Sequence, residues 1–217
     1  MAVAHNGTRK ASRRDEKQPY HHGDLRAALM VAALALIEEH GVKGFALKDA
    51  ARMAGVSIAA PYRHFADKDA LISAIHAEGF GLFDAALTAA YELEGDAHAR
   101  ILELGVAYVR FALERTAHFR VMFGRMGGEG FKAGAEGAKG FQLLVRAVEG
   151  LMPGASEQSE HSRMDTVLAC WSLVHGFALL QVDGAFASTV GGLDAEAQLR
   201  RTLGVLIAGV NESTSGG

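Results

Sequence analysis

The 217-residue chain contains one cysteine, three prolines and one tryptophan. Its single cysteine, Cys170, cannot form an internal disulfide, which fits a reducing cytoplasm. Few prolines, abundant alanine and scarce clusters of β-branched residues favour helices over strands. No run of eighteen apolar residues occurs, and no apolar segment follows the polar, basic N-terminus. We therefore expect neither a transmembrane helix nor a secretory signal.

Motifs of catalysis and metal binding are also missing. The sequence has no Gly-x-Ser-x-Gly, no His-Glu-x-x-His and no nucleotide-binding loop, and the glycine-rich segment 124–140 lacks the Gly-Lys-Ser/Thr ending of a phosphate loop. A helical enzyme would have to use His175 with Asp165 or Asp183, and neither aspartate is a good same-turn partner on one helix. We expect no catalysis, no cofactor and no metal site, the pair His21-His22 being a poor metal ligand set by itself.

The chain does contain enough apolar residues to form a core, and its charge is unevenly distributed along the sequence. About half of the residues are hydrophobic, at 49%. Residues 1–68 carry 11 Lys/Arg against 7 Asp/Glu, a formal charge of +4, whereas residues 69–217 carry −7. A basic first part followed by an acidic remainder predicts that one end of the molecule meets a polyanion.

Helical periodicity and capping residues predict an all-α protein. Asp24 can cap a helix that ends at Gly41, and Asp67 and Asp194 can cap two later helices. Apolar residues recur at helical spacing in the remaining segments, and no alternating strand pattern is present. The predicted helices are 24–40, 68–93, 98–115, 118–123, a segment around 141–148 that ends before Pro153, 157–185, and a last helix from 194.

The segment 46–71, ALKDAARMAGVSIAAPYRHFADKDAL, reads as two short helices, a tight turn and the start of a third helix. Gly55 suits the left-handed backbone at the turn, and Ser57 can cap a short helix Ile58–His64. Pro61 fits the first turn of that helix at the loss of one backbone hydrogen bond. A short helix held by its neighbours is what a helix-turn-helix reader of the major groove requires.

This segment resembles the DNA-binding head of the TetR family of transcriptional regulators. The resemblance covers roughly 24–75 and is carried by Gly55-Val56-Ser57, Pro61-Tyr62-Arg63-His64-Phe65 and Asp67-Lys68-Asp69-Ala70-Leu71. It implies an N-terminal helix-turn-helix domain at 20–75 and a C-terminal helical-bundle domain at 76–212 for ligand binding and dimerisation. Residues 1–19 are expected to form a flexible basic arm, or merely a solvated tail, and 213–217 a disordered tail.

DNA contacts are expected from the predicted helix Ile58–His64 and from Lys48 and Lys68, which lie in the two helices beside it. Small and apolar residues at its start would read thymine methyls and groove shape, and Arg63 can contact guanine or phosphate. The resemblance implies backbone contacts for Tyr62 and Lys68, while Phe65 is expected in the core. A solvated surface group is the alternative for each charge. The predicted DNA-contacting residues are Lys48, Ser57, Ile58, Ala59, Ala60, Tyr62, Arg63, His64 and Lys68.

A second resemblance lies at Trp171-Ser-Leu-Val-His175-Gly176, which is similar to the Trp-x-x-x-His-Gly signature of one subgroup of TetR-type ligand-binding domains. Trp171 and His175 share one helix face. They either line a small-molecule cavity or form a packed tryptophan beside a hydrogen-bonded histidine, and Gly176 would allow another helix or a ligand to approach. The predicted ligand-binding residues are Phe111, Met122, Phe123, Met126, Trp171 and His175.

These resemblances predict a ligand-responsive repressor that binds double-stranded DNA as a homodimer on a pseudo-palindromic operator, with an unidentified small-molecule effector. Paired C-terminal helices would set two reading helices ~34 Å apart. A transcriptional activator or an effector-free DNA-binding protein of the same fold is the alternative. The operator and the effector are not predicted by the sequence.

Overall fold

The computed structural model describes residues 24–124, 138–153, 157–189 and 194–215. Within these ranges the chain is helical and contains no strand, as the sequence predicts. The basic arm 1–19, His21-His22 and Met126 lie outside the described residues. The α-helices are α1 (Leu25–His40), α2 (Leu47–Met53), α3 (Lys68–Tyr91), α4 (Ala97–Glu114), α5 (Thr116–Phe123), α6 (Ala138–Leu151), α7 (Glu157–Val182), α8 (Ala185–Thr189) and α9 (Ala195–Ser215).

Aspartates cap the N-termini of α1, α3 and α9, as predicted, and also that of α4. The side chains of Asp24 and Asp67 accept hydrogen bonds from the third backbone amides that follow, at 2.9 and 2.8 Å. Asp96 does the same for α4 at 2.8 Å, and Asp194 accepts from the backbone of Glu196 at 3.0 Å. Each cap satisfies amides that would otherwise lack partners and fixes where its helix begins.

The head consists of α1, α2, a 3₁₀ helix at Ala60–Arg63 and the first turns of α3. Its core is one apolar cluster in which Leu29, Ile37, Leu71 and Ile75 are fully buried. The predicted apolar face of α1 supplies much of this cluster, and Phe65 joins it at 3% exposure, as predicted. We refer to it as the head cluster.

The body packs around α4, which contacts α3, α5, α6, α7 and α9. Gly105 allows this crowding, because a Cβ there would lie 2.8 Å from Leu203 Cδ2 and 3.3 Å from Val174 Cγ2. The apolar residues of these helices form a second cluster, which includes Phe83, Tyr108 and Phe119. We refer to it as the body cluster.

Two helices join the head to the body. Helix α3 starts in the head cluster with Leu71 and continues into the body cluster with Phe83. Helix α5 is only eight residues long but is buried on two sides: Ala117 and Val121 belong to the head cluster, and Phe119 belongs to the body cluster. The two parts therefore share packed elements and not merely a linker.

A side-chain contact ties these two connecting helices together. His118 Nε2 of α5 lies 3.0 Å from Glu78 Oε2 of α3, and the histidine is buried. Just beside it, a Cβ on Gly79 would lie 2.7 Å from Met122 Sδ, so the glycine permits the close approach of α5 to α3. Movement of α3 against α5 would have to break this packing.

The structure corrects two local predictions. The longest helix ends at Val182 and not at residue 185, because Gly184 adopts φ +71° in the turn before the separate helix α8. A Cβ on Gly176 would meet no described atom within 4 Å, so the predicted close approach there is not made within this chain.

Helix α3 and residues 160–182 of α7 are long and apolar enough to cross a membrane by length and composition alone. Core helices of globular proteins share that composition. In α3 the apolar residues Leu71 and Ile75 pack in the head cluster, and Phe80 and Phe83 pack in the body cluster. Core packing therefore accounts for the apolar character of this helix.

Candidate DNA-binding surface and ligand cavity

The turn between α2 and the 3₁₀ helix positions the predicted reading segment. Gly55 has φ +71°, as predicted, and its amide donates to the Arg52 carbonyl at 3.1 Å. The Val56 amide donates to the Ala51 carbonyl at 3.0 Å, which folds the chain back across the end of α2. This pairing is the helix end that a left-handed glycine makes possible.

The predicted α-helix Ile58–His64 is wrong in type and in start. Residues 58 and 59 form a turn in which the Ala60 amide donates to the Ser57 backbone carbonyl at 3.0 Å, and the 3₁₀ helix follows at Ala60–Arg63. No side chain caps that helix, so the predicted cap by the Ser57 hydroxyl is also wrong. A short 3₁₀ helix is common where a segment lacks the length to form an α-helix.

Two buried residues hold the 3₁₀ helix against the head. Pro61 is buried in the first turn of this helix, where a backbone N–H would have no partner within the helix, so its absence costs no helical hydrogen bond. The Pro61 carbonyl accepts hydrogen bonds from the amides of His64 and Phe65, both at 2.9 Å. Phe65 enters the head cluster. The backbone that carries the predicted contacts is thus fixed on both sides.

Most residues predicted to contact DNA lie on the exposed side of this segment. Ile58 is 51% exposed and Tyr62 is 59% exposed. Ala60 is half-buried. The other exposed residues in this set are Lys48, Ser57, Ala59, Arg63 and His64.

Lys68 differs from the other predicted contacts because it is held inside the head. Its Nζ donates to the Phe45 carbonyl at 2.7 Å and lies 4.2 Å from the centre of the Phe45 ring. Burial lowers the pKa of Lys68, which the neighbouring Asp69 carboxylate opposes. An ammonium group has three N–H donors, so this bond leaves two for a phosphate.

The body encloses a small apolar cavity between α3, α4, α5, α6, α7 and α9. Its volume is about 60 Å³ for the centres of water-sized molecules. Aromatic and aliphatic side chains form nearly all of the wall. The lining residues are Phe80, Phe83, Leu87, Ile101, Leu104, Gly105, Tyr108, Phe123, Gly140, Phe141, Leu144, Cys170, Trp171, Val174 and Leu203.

Two polar side chains of this otherwise apolar wall, Tyr108 and Trp171, form a polar group with His175 behind the wall. The Tyr108 hydroxyl lies 2.7 Å from His175 Nδ1 and also makes a side-chain hydrogen bond with Trp171. Burial raises the pKa of Tyr108 well above its ordinary value and lowers the pKa of His175. A neutral tyrosine that donates to a neutral histidine and accepts from the indole N–H satisfies all three groups. We call these residues the Tyr-Trp-His group.

A search of family models matched both parts of the chain. Residues 29–75 match the model described as bacterial regulatory proteins, tetR family, and residues 101–206 match the tetracyclin repressor-like C-terminal domain. The chain belongs to the TetR family. As in that family, a helix-turn-helix DNA-binding fold precedes a helical C-terminal domain.

Solved structures share this TetR fold over most of the chain. A protein of unknown function from Rhodococcus sp. RHA1 is 33% identical, with a TM-score of 0.70 over 89% of this chain and 98% of that chain. A tetR-family regulatory protein from Rhodococcus RHA1 is 22% identical, with a TM-score of 0.63 over 85% and 96%. A TetR variant from Acinetobacter baumannii AYE in complex with minocycline is 20% identical, with a TM-score of 0.58 over 86% and 96%. No curated protein matches the sequence significantly.

The structure places some of the residues predicted to bind a ligand in the cavity lining and others outside it. Trp171 and Phe123 line the cavity. His175 lies behind this wall, with its ring centre 5.2 Å from that of Phe123. Phe111 and Met122 are buried in the body cluster outside the cavity lining, and Met126 falls outside the described residues.

Sequence reasoning missed Tyr108, the residue that connects Trp171 with His175. Tyr108 is 63 residues from Trp171 along the chain, and the spacing of apolar residues in the predicted helix 98–115 gives it no role beyond packing. A buried tyrosine needs a hydrogen-bond partner, and a Trp/His pair one turn apart offers a donor and an acceptor. That chemistry was the available signal, although several helices could have supplied the hydroxyl.

Proposed function

We propose that this protein is a ligand-responsive repressor of the TetR family that binds a pseudo-palindromic operator as a homodimer in the cytoplasm. The observation that carries the proposal is the exposed face of the 3₁₀ helix, which buried Pro61 and Phe65 hold in place. A transcriptional activator, or a DNA-binding protein without an effector, is the alternative with the same fold.

The head supports DNA binding because its exposed chemistry suits a duplex. Arg63, Lys48 and Tyr62 can contact phosphates, while Ile58 and Ala59 can contact thymine methyls in the major groove. Ser57, Ala60, His64 and Lys68 complete the proposed contact surface.

The body supports a homodimer because apolar side chains stay exposed on two of its helices. Met164, Leu168 and Leu180 of α7 are each more than 40% exposed, and Val205 of α9 is 75% exposed. If a second copy packed its own α7 and α9 against these two helices, the two-fold contact would bury the exposed apolar side chains of both copies. Such a dimer would place two 3₁₀ helices on successive turns of one DNA face.

The cavity and the shared helices support a ligand response. A ligand in the cavity would touch Phe83 of α3 and Phe123 of α5, and both helices also pack in the head cluster. A ligand that prefers one arrangement of these helices would shift the spacing of the paired heads. The TetR variant in complex with minocycline supports the proposal that a protein of this fold responds to a small molecule.

The Tyr-Trp-His group supports the placement in the Trp-x-x-x-His-Gly subgroup. It gives Trp171 and His175 a common physical role, because both bind the same hydroxyl on α4. We propose that they set the shape of the ligand cavity, and that Trp171 alone of the two contacts the ligand. Phe111 and Met122, which lie outside the cavity lining, would then affect ligand binding only through packing or not at all. Met126 stays a predicted ligand contact.

Selection of bound sequences from random duplexes tests this function. We expect enrichment of an inverted repeat with half-sites about one DNA turn apart, together with a dimer in solution. Repeating the selection with a small-molecule library tests the ligand response, because an effector would abolish the enrichment. A monomer that ignores all duplexes at low salt would contradict the proposal. Expression from the chain's own upstream DNA would separate repressor from activator.

A further inference from the structure

A second concave site lies between the head and the body. Its walls come from the turn after α1, from α5 and from the end of α7, and its volume is about 270 Å³ on the same measure as the cavity. We call it the head–body groove. It is lined by Val42, Lys43, Phe119, Arg120, Phe123, Gly124, Leu179, Val182 and Asp183.

Phe123 lines both the groove and the internal cavity. Its ring centre lies 4.9 Å from that of Phe119 and 5.2 Å from that of His175. It sits at the last position of α5, followed by Gly124. Phe123 is therefore part of the wall that the groove and the cavity share, and a change of this one side chain would alter both.

The charges of the groove select a class of molecule. Lys43 and Arg120 have no ion-pair partner among the residues that the structure describes, and Asp183 is the one acidic side chain in the lining. The groove thus has an excess of one positive charge above an apolar floor formed by Phe119, Leu179 and Val182. Guanidinium and ammonium groups bind a carboxylate by charge-assisted hydrogen bonds.

We propose that the head–body groove binds an amphipathic carboxylate, whose carboxylate pairs with Arg120 and Lys43 while its hydrocarbon chain passes Phe123 into the cavity. This inference rests on the proposed ligand response and names the chemistry of the ligand. The cavity suits a hydrocarbon chain. Its polar lining residues Tyr108 and Trp171 are already hydrogen-bonded within the Tyr-Trp-His group, so among the lining residues that the structure describes neither needs a polar ligand atom.

Occupancy of the groove would couple ligand binding directly to the head. Val42 packs against the head cluster, whereas Leu179 and Val182 belong to α7 of the body. A ligand held between them would contact both parts at once. The head would then respond to the ligand at the α1–α2 turn as well as through α3.

Octanoate, octan-1-ol and octylamine are suitable probes because they differ only in the head group. Trp171 is the sole tryptophan and lines the cavity, so its fluorescence reports entry of the chain, and calorimetry gives Kd. We expect octanoate to bind at least about tenfold more tightly than octan-1-ol, and octylamine to bind most weakly. Equal affinities for the three probes, or no binding of octanoate, would overturn the proposal.

Two variants locate the carboxylate. Arg120→Gln and Lys43→Gln should each weaken octanoate binding about tenfold and leave octan-1-ol unchanged, while Arg120→Lys should restore part of the loss. Arg146→Gln is the matched control, since Arg146 is an exposed arginine of α6 outside the groove. Equal effects of Arg120→Gln and Arg146→Gln would contradict the assignment.

Phe123→Ala tests the connection between the groove and the cavity. It should speed the fluorescence change of Trp171 on mixing with octanoate, because the shared wall is removed. An unchanged rate would overturn the path through Phe123. DNA binding without ligand is measured separately, so failure of these tests would leave the DNA-binding part of the proposed function standing.

Discussion

In the head, the side chains proposed to meet DNA lie on the surface around a tightly packed core, whereas in the body the groups proposed to meet a ligand surround an internal cavity. Leu29, Ile37 and Leu71 of the head cluster are fully buried. The body instead keeps unfilled space beside Phe83 and Trp171. A DNA reader needs a rigid support for exposed groups, while a ligand sensor needs room inside its packing.

The largest expected effect is on the stability of the head. Phe65→Ala removes a ring from the head cluster and should lower the free energy of unfolding by about 3–5 kcal/mol. The half-buried Phe123 of the body adjoins open space, so Phe123→Ala should cost clearly less. Urea unfolding followed by circular dichroism measures both variants. Equal losses would break the contrast between a packed head and a loosely filled body.

The next effect concerns the contact surface of the head. Arg63→Ala should raise Kd for the operator about tenfold to a hundredfold and relax specificity at one base pair, if the guanidinium reads a guanine. Fluorescence anisotropy on the selected duplex and on single-base variants checks this. Arg146→Ala, a change on the body surface, serves as the control and should leave both quantities unaltered.

In the body, the corresponding test removes one oxygen atom. Tyr108→Phe leaves His175 and the Trp171 indole without their shared partner and should destabilise the protein by about 1–3 kcal/mol. Tyr91→Phe is the matched control, because no described hydrogen bond involves its hydroxyl, and should stay within about 0.5 kcal/mol. Unfolding curves and the emission maximum of Trp171 are the measurements. A loss no larger than that of the control would show that the Tyr-Trp-His group contributes no stability.

Acid should act on the body through His175. Burial lowers the pKa of this histidine in the folded state, so the unfolded chain takes up its proton first as the pH falls. Stability should therefore decrease as the pH drops from the ordinary histidine value near about 6.5 toward the folded pKa. His175→Gln should reduce the pH dependence of the urea midpoint. An unchanged pH dependence in this variant would contradict the assignment.

The smallest effect separates two lysines of the head. Lys48→Ala should lower the log–log slope of DNA binding against salt by about one unit if Lys48 contacts a phosphate. Lys68→Ala should do the same and should also lower the thermal midpoint, because it breaks the bond to the Phe45 carbonyl. An unchanged slope for Lys68→Ala would show that Lys68 only braces the head.

Local signals predicted much of the fold because capping and glycine chemistry act within a few residues. Asp24, Asp67 and Asp194 cap the helices assigned to them, and Gly55 turns the chain where a left-handed residue is needed. The 3₁₀ helix escaped prediction because Pro61 and a turn at 58–59 leave too few amides for an α-helix. Apolar spacing alone does not distinguish the two forms over four residues.

Long-range pairings in the body could not be predicted in the same way. Trp171 lines a cavity, so its role as a ligand contact stays a prediction, and the partnership of Tyr108 with His175 joins helices that are far apart in the sequence. Helical periodicity predicts which face of α4 is buried, but it does not predict which other helix packs against that face. The charges of the groove likewise depend on the fold, because Lys43 and Arg120 are far apart in the sequence and line the same groove.

Helix α5, buried on both of its sides, has a consequence for protein engineering. A chimera that grafts a foreign reading domain onto this effector domain at the boundary near residue 75 would leave Ala117 and Val121 facing a surface to which they are not fitted. A successful exchange would have to carry matching substitutions at these two positions, although they lie some forty residues beyond the splice. Modularity here is thus limited by one short helix and not by the junction itself.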